Sequence, residues 1–404
     1  MKNSEKKGGI LGASLIICGT SIGAGMLALP TVTAEGGFFP GLLSNILCWL
    51  YSYLSGIFLM EACLWSKHEQ AHLPSLSREY LGNYGKLVVC FLFLFLYECL
   101  LISYFSGIAP SFDIILSFIA KSFGFKLASL TSYGVLGVSL FTILMLGTYW
   151  IDRINIILMA GLVIFFLLLL ASGLDRVAAS NLAEANWYKF FAPFPVLIGA
   201  YGYHNVIPSL VCYLKKDPRS LSKAIFIGTF LPLLIYSIWQ FFVLGSVPAH
   251  VLYTDYFGKG IPVIEALIKY THSPILKNMT TGFAFFAVFT SLLGVSFSMI
   301  DFWGDQFRVP RIPKYRLFLS LVTLLPPYII AYKNPNLFVS VFGVAAGFGE
   351  ALLNGLFPII IMWIGLYVRK YKSSRPLIGG KITLGGMLLF TFLIIVLEGS
   401  HLFR

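Results

Sequence analysis

Long apolar runs alternate along the chain with short polar connectors, and most runs are close to 20 residues long. That length carries a helix across the ~30 Å hydrocarbon core of a bilayer. Backbone polar groups at that depth must be satisfied within their own segment, which selects helices. A membrane β-barrel would instead alternate apolar and polar positions over ~10 residues, a pattern absent from this sequence. The periodicity therefore predicts an all-α polytopic membrane protein with 11 transmembrane helices. They fall at about 10–32, 37–66, 87–109, 131–150, 154–173, 190–214, 224–247, 278–303, 317–332, 336–367 and 382–399. The first run lacks a polar cleavage region, so it is read as the first span rather than a signal peptide.

Composition agrees. Of 404 residues 58% are hydrophobic and only 11% are charged, against about 25% charged in soluble domains. The net charge of +12 raises nucleic acid as a partner, but its placement gives a better account. With the N-terminus inside, the inner segments collect 20 of the 29 Lys and Arg. They are Lys2, Lys6 and Lys7; Lys67, Arg78 and Lys86; Arg153; Lys215, Lys216, Arg219 and Lys223; Arg308, Arg311, Lys314 and Arg316; and Arg369, Lys370, Lys372, Arg375 and Lys381. The positive-inside rule then predicts a cytoplasmic N-terminus and a periplasmic C-terminus, as an odd number of spans requires. Two connectors look structured: 67–86, with a short inner helix after Pro74, and 248–277 outside, with Gly-Ile-Pro at 260–262. The six Cys lie in apolar segments without paired spacing and are expected to be packing residues, neither disulfides nor metal ligands.

Two spans carry breaks. The first contains Cys18-Gly-Thr-Ser-Ile-Gly-Ala-Gly-Met-Leu-Ala-Leu-Pro30, with three Gly, a Thr and a Ser at mid-span. Gly costs about 1 kcal/mol relative to Ala inside a helix, so this stretch is poised to unwind. Close packing through small residues is the competing explanation. The sixth contains Ile198-Gly-Ala-Tyr-Gly-Tyr-His-Asn-Val-Ile-Pro208, also at mid-span. Irregular backbone at that depth is tolerated only where it is buried in protein or lines a cavity. Breaks at matching places in two halves point to a transporter binding site. The two broken spans are five apart and run in opposite directions, which makes spans 1–5 and 6–10 an inverted pair. Free N–H groups near Gly23–Gly25 suit a carboxylate, and free carbonyls near Gly199–Tyr201 suit an ammonium group. One anionic and one cationic subsite together describe an amino acid.

Further residues carry a resemblance. Gly19-Thr-Ser-Ile-Gly-Ala-Gly-Met-Leu-Ala-Leu-Pro30 resembles the first-helix signature of the hydroxy and aromatic amino acid permease family, within the amino acid–polyamine–organocation superfamily. Pro208-Ser-Leu-Val-Cys-Tyr213, Pro232 with Trp239-Gln240, Ser291-Leu-Leu-Gly-Val295 with Asp301, and Leu325-Pro-Pro327 are similar to it too. The likeness spans essentially the whole chain and is nearest to tyrosine-specific permeases. It implies a LeuT-like 5+5 inverted repeat, about 10–173 and 190–367, plus an extra helix 382–399 in one transporter domain. It also implies a bacterial inner membrane and import of an aromatic amino acid, tyrosine first, by proton symport. Tryptophan, a small hydroxy amino acid such as serine or threonine, and sodium coupling remain the alternatives.

The expected substrate-binding residues are Gly19, Thr20, Ser21, Gly23, Ala24 and Gly25 in the first span. In the sixth they are Gly199, Ala200, Tyr201, Tyr203, His204 and Asn205. Glu98 and Glu350 are the proton-coupling candidates, each isolated among apolar residues, where burial favours the neutral acid. Asp301 and Glu398 are read as interfacial or structural. Some proton-coupled members of the superfamily carry a lysine in the fifth span, but 154–173 holds no charge. Sodium would want oxygen ligands such as Ser291, Ser296 or Ser298. No cofactor or metal is expected. A membrane-embedded enzyme needs clustered His, Asp or Glu, and only His204 lies deep. A channel would want polar rings along a pore, whereas the polar irregularity here sits in two spans.

Overall fold

A computed structural model describes residues 9–66, 73–124, 129–256, 263–271, 273–307, 309, 313–374 and 378–402. Lys2, Lys6, Lys7, Lys67, Arg308, Arg311, Arg375 and the 260–262 turn lie outside the described residues. The described chain is almost wholly helical. The first span is a broken pair, α1 (Ile10–Ser21) and α2 (Gly25–Thr33), bent by 59° at 22–24. Helix α3 (Phe38–Trp65) follows a turn at Gly37, whose φ of 83° favours glycine. Helix α4 (Leu73–Ser122) is interrupted at Gly82 (φ 73°, ψ −165°). That break sets the short segment from Leu73 at an angle to the membrane-spanning remainder. Then come α5 (Ser129–Leu146) and α6 (Thr148–Gly173), and the short α7 (Ala179–Ala183) of an outer connector.

The sixth span is again broken, into α8 (Phe194–Ala200) and α9 (Ile207–Tyr213), with irregular backbone and one 3₁₀ turn between. Helix α10 (Pro218–Ser246) begins behind Asp217, whose carboxylate accepts from the Arg219 N–H as an N-cap. The outer connector holds α11 (Ala249–Val251) and α12 (Val263–Thr271). Next are α13 (Pro274–Phe307) and α14 (Pro313–Lys333). The tenth span runs from α15 (Phe338–Val344) through a π-helical stretch, Ala345–Leu356, into α16 (Phe357–Trp363), with a second π turn at Ile364–Val368. The last helix is α17 (Lys381–Leu402).

Among the described residues eight helices are long and apolar enough to cross a membrane, and the bent α1–α2 pair makes nine. The expected spans 131–150 and 190–214 correspond to α5, with a shorter apolar core, and to the α8–α9 pair of two seven-residue helices. Helix α10 lies along α1 and α3, while α13 lies along α6 and α4. The π-helical stretch touches α4, α8 and α17 at once. Its wider turns displace side chains from α-helical register, a distortion frequent at functional sites. All six Cys are free thiols.

Candidate functional site

Both breaks face one cavity of about 760 Å³. Such a volume lies within the roughly 300–1,000 Å³ of small-molecule pockets. Nine of the twelve expected binding residues line it: Gly19, Thr20, Ser21, Gly23, Ala24, Gly25, Gly199, Ala200 and Asn205. Unwinding and close packing, the two explanations of the glycines, turn out to describe the same residues. A Cβ on Gly23 would collide with Ser291 Oγ, and one on Gly199 with the Ala346 methyl. At Gly25 it would stand 3.1 Å from Ala200 Cα. Small residues thus bring α2, α8 and the tenth span together where the helices break.

The start of α2 is held from α13: the Ala24 N–H donates to Ser291 Oγ (3.0 Å), whose own O–H donates to Ala287 O (3.2 Å). Residues of α10 hold the break from behind. Tyr236 O–H is directed at Ser21 O (2.7 Å) and Ala200 O (2.8 Å), and Trp239 Nε1–H donates to Met26 O (2.8 Å).

Tyr201, Tyr203 and His204, also expected to bind substrate, fall outside the cavity lining. Tyr201 is fully buried, its hydroxyl donating to Asn45 Oδ1 (2.6 Å) and its carbonyl accepting from Ser52 Oγ (3.1 Å). Tyr203 donates to Ser52 O (3.0 Å), and the His204 ring stacks on it with centroids 4.6 Å apart. Tyr201 and Tyr203 turn toward α3, where Asn45 and the Ser52 carbonyl accept their hydroxyls and the Ser52 O–H satisfies the freed Tyr201 carbonyl. Sequence gives the depth of a residue in a span, but not which side of an irregular backbone it leaves from.

The two coupling candidates separate. Glu98 is half-buried on α4 and does not line the cavity. Glu350 does, from the π-helical stretch, at 9% exposure. The Asn354 amide donates to its carboxylate, and Ser55 O–H donates to the Asn354 carbonyl. The Gly202 backbone, in the unwound part of the sixth span, lies against the same carboxylate. Glu350 therefore touches the broken helix itself. Glu398 is buried against Gly343 and Gly347, a packing position rather than a cavity one.

Several lining residues were not anticipated. Tyr97 and Tyr104, seven positions apart on one face of α4, join Phe93, Leu100 and Phe342 to give an aromatic wall. Two-turn spacing on a helix is a signal that could have linked these two tyrosines, but apolar spans carry many such pairs. Asn155 and Met159 on α6, Ser298 on α13 and Leu15 and Ile16 on α1 extend the cavity toward one end of the molecule. At the other end Phe342 packs against Tyr104 and Phe338. No group of three or more metal-binding side chains occurs among the described residues.

Known proteins share both the sequence and this architecture. The chain is 30% identical to the tryptophan-specific transport protein of Haemophilus influenzae, over 98% of its own length and 97% of the relative's. It is 29% identical to tyrosine-specific transport system 2 of the same organism, over 87% of each chain. The crystal structure of MhsT in complex with L-phenylalanine superposes with a TM-score of 0.64 at 14% identity, covering 98% of this chain and 100% of that one. The fold is thus LeuT-like. Residues 6–398 match the model of the tryptophan/tyrosine permease family, and the chain belongs to that family of membrane transporters, which are not enzymes.

Proposed function

We propose that this protein imports an aromatic amino acid, tyrosine or tryptophan, by proton symport with alternating access. The observation that carries the reading is the cavity where both broken spans meet an aromatic wall and one buried carboxylate, Glu350. Carbonyls at Ser21 and Ala200 suit the α-amino group, and the start of α2 suits the α-carboxylate. Tyr97, Tyr104 and Phe342 offer ring contacts, while Asn205 and Glu350 can accept the phenol O–H or indole N–H. The two Haemophilus influenzae relatives, one tryptophan-specific and one tyrosine-specific, are nearly equal in identity to this chain, so both substrates stay in the proposal.

Proton coupling is favoured by the placement of Glu350. A carboxyl group that touches the unwound sixth span gains or loses its proton as access to the cavity alternates. Sodium coupling is the alternative reading, since the hydroxyl oxygens of Ser291, Ser296 and Ser298 on α13 keep lone pairs for a cation. The eleven-span count, the repeats at 10–173 and 190–367 and the cytoplasmic N-terminus belong to the same reading. In that orientation the cavity extends toward the cytoplasm, beside the N-terminal half of the first span, and this conformation faces inward.

The test is uptake of labelled tyrosine and tryptophan into proteoliposomes under an imposed inward proton gradient, with and without sodium. Phenylalanine, serine and threonine serve as competitors. Proton-dependent uptake blocked by aromatic competitors supports the reading. Sodium dependence overturns the coupling, and transport of serine or threonine in place of aromatics overturns the substrate.

A further inference from the structure

Tyr236 lies on α10, is fully buried and does not line the cavity. Its hydroxyl nevertheless touches the site at two points, Ser21 O at 2.7 Å and Ala200 O at 2.8 Å. These are the last residues of α1 and α8. Each carbonyl has lost the backbone donor four residues on, because the helix ends there. A phenol carries one proton, so the two acceptors share it, and each retains lone-pair capacity. Ser21 and Ala200 both line the cavity.

We propose that Tyr236 is a positioning residue for the substrate α-ammonium group: it fixes the spacing of the Ser21 and Ala200 carbonyls from behind, and the ammonium binds them from the cavity. The inference rests on the amino acid reading above. Two further contacts make the hydroxyl a fixed point. One turn along α10, Trp239 holds Met26 O on the far side of the break. The Tyr236 ring packs on Tyr201 at 5.3 Å between centroids, and Tyr201 is itself anchored to Asn45. One helix thereby sets the positions of α1, α2 and α8 relative to each other. Without the hydroxyl, two carbonyls in a cavity wall repel each other and separate, and a single ammonium no longer satisfies both.

The experiment compares two ligands on purified protein in nanodiscs. The first is tyrosine or tryptophan, and the second is the matching desamino acid, 3-(4-hydroxyphenyl)propionate or indole-3-propionate. Wild type should prefer the amino acid. Tyr236→Phe should reduce that preference tenfold or more through weaker amino acid binding, with desamino affinity within threefold of wild type. Equal weakening of both ligands would make Tyr236 a structural tie and overturn the proposal, as would unchanged binding of both. Should Tyr236→Phe fail to fold, Tyr236→His, whose ring N–H does not extend as far, is measured with the same ligands and the same two criteria. Wild type that binds no aromatic amino acid would sink the functional reading instead, which keeps the two failures apart.

Discussion

Gly23 needs its missing side chain for space and not for backbone freedom, since it is absent from the positive-φ glycines of the described chain. A Cβ there collides with Ser291 Oγ, whereas Ser291 Cβ would remain 3.5 Å away in ordinary contact. Gly23→Ala must therefore expel the Ser291 hydroxyl, and with it the acceptor of the Ala24 N–H. A buried donor left without a partner costs about 1–3 kcal/mol. Overpacking adds about 1–3 kcal/mol, for a loss of roughly 2–6 kcal/mol. Ser291→Ala removes the acceptor without the clash and should cost only about 1–3 kcal/mol. The double variant keeps the 3.5 Å Cβ contact and should match Ser291→Ala, more stable than Gly23→Ala alone. The assay is SDS-induced unfolding of bicelle-reconstituted protein, read as a double-mutant cycle, with tyrosine and tryptophan uptake as the second readout. Additive losses, or a harmless Gly23→Ala, would refute the steric account and detach the break of the first span from α13.

Three further outcomes are expected. Glu350→Gln should keep substrate exchange but lose accumulation driven by a proton gradient, while Glu98→Gln should retain both; the reverse pattern in proteoliposomes would move the coupling site to α4. Gly202→Ala places a methyl group against the Glu350 carboxylate and should raise KM about tenfold or more, with smaller substrates giving no relief; unchanged KM would separate Glu350 from the sixth span. Glu61 is buried at the end of α3 and accepts from the Ser374 N–H (3.0 Å) and its O–H. Glu61→Ala leaves the 369–374 segment without that anchor and should lower stability by about 1–3 kcal/mol, seen as a lower thermal midpoint, with substrate selectivity unchanged.

Membrane burial makes some features of this protein legible in sequence. Span length follows from bilayer thickness, and helical structure follows from the lack of water to satisfy backbone groups. The breaks at 22–24 and 201–206 were visible because Gly with Thr and Ser in one span, and Gly with His, Asn and Pro in the other, are poor helix formers at mid-span. Nine lining residues came from those breaks alone, since an unwound backbone brings its own N–H and C=O groups to the cavity.

What remained hidden depends on contacts between spans. In hydrocarbon the apolar side chain facing lipid and the one facing a cavity have the same composition, so Tyr97, Tyr104 and Phe342 carried no mark. Tyr201 and Tyr203 lie at the right depth but point to α3, whose Asn45 and Ser52 satisfy them. Glu98 and Glu350 look alike as lone carboxylates, and only packing decides that one reaches the cavity and the other does not. The π-helical stretch has no periodic signature in a run of small and apolar residues, yet it presents Glu350 to the broken sixth span. The sequence by itself determined which segments are long, apolar and helical and where two of them are interrupted, because those properties are local. The tertiary structure alone decided which side chains meet at the break, because that depends on which neighbour satisfies each freed polar group.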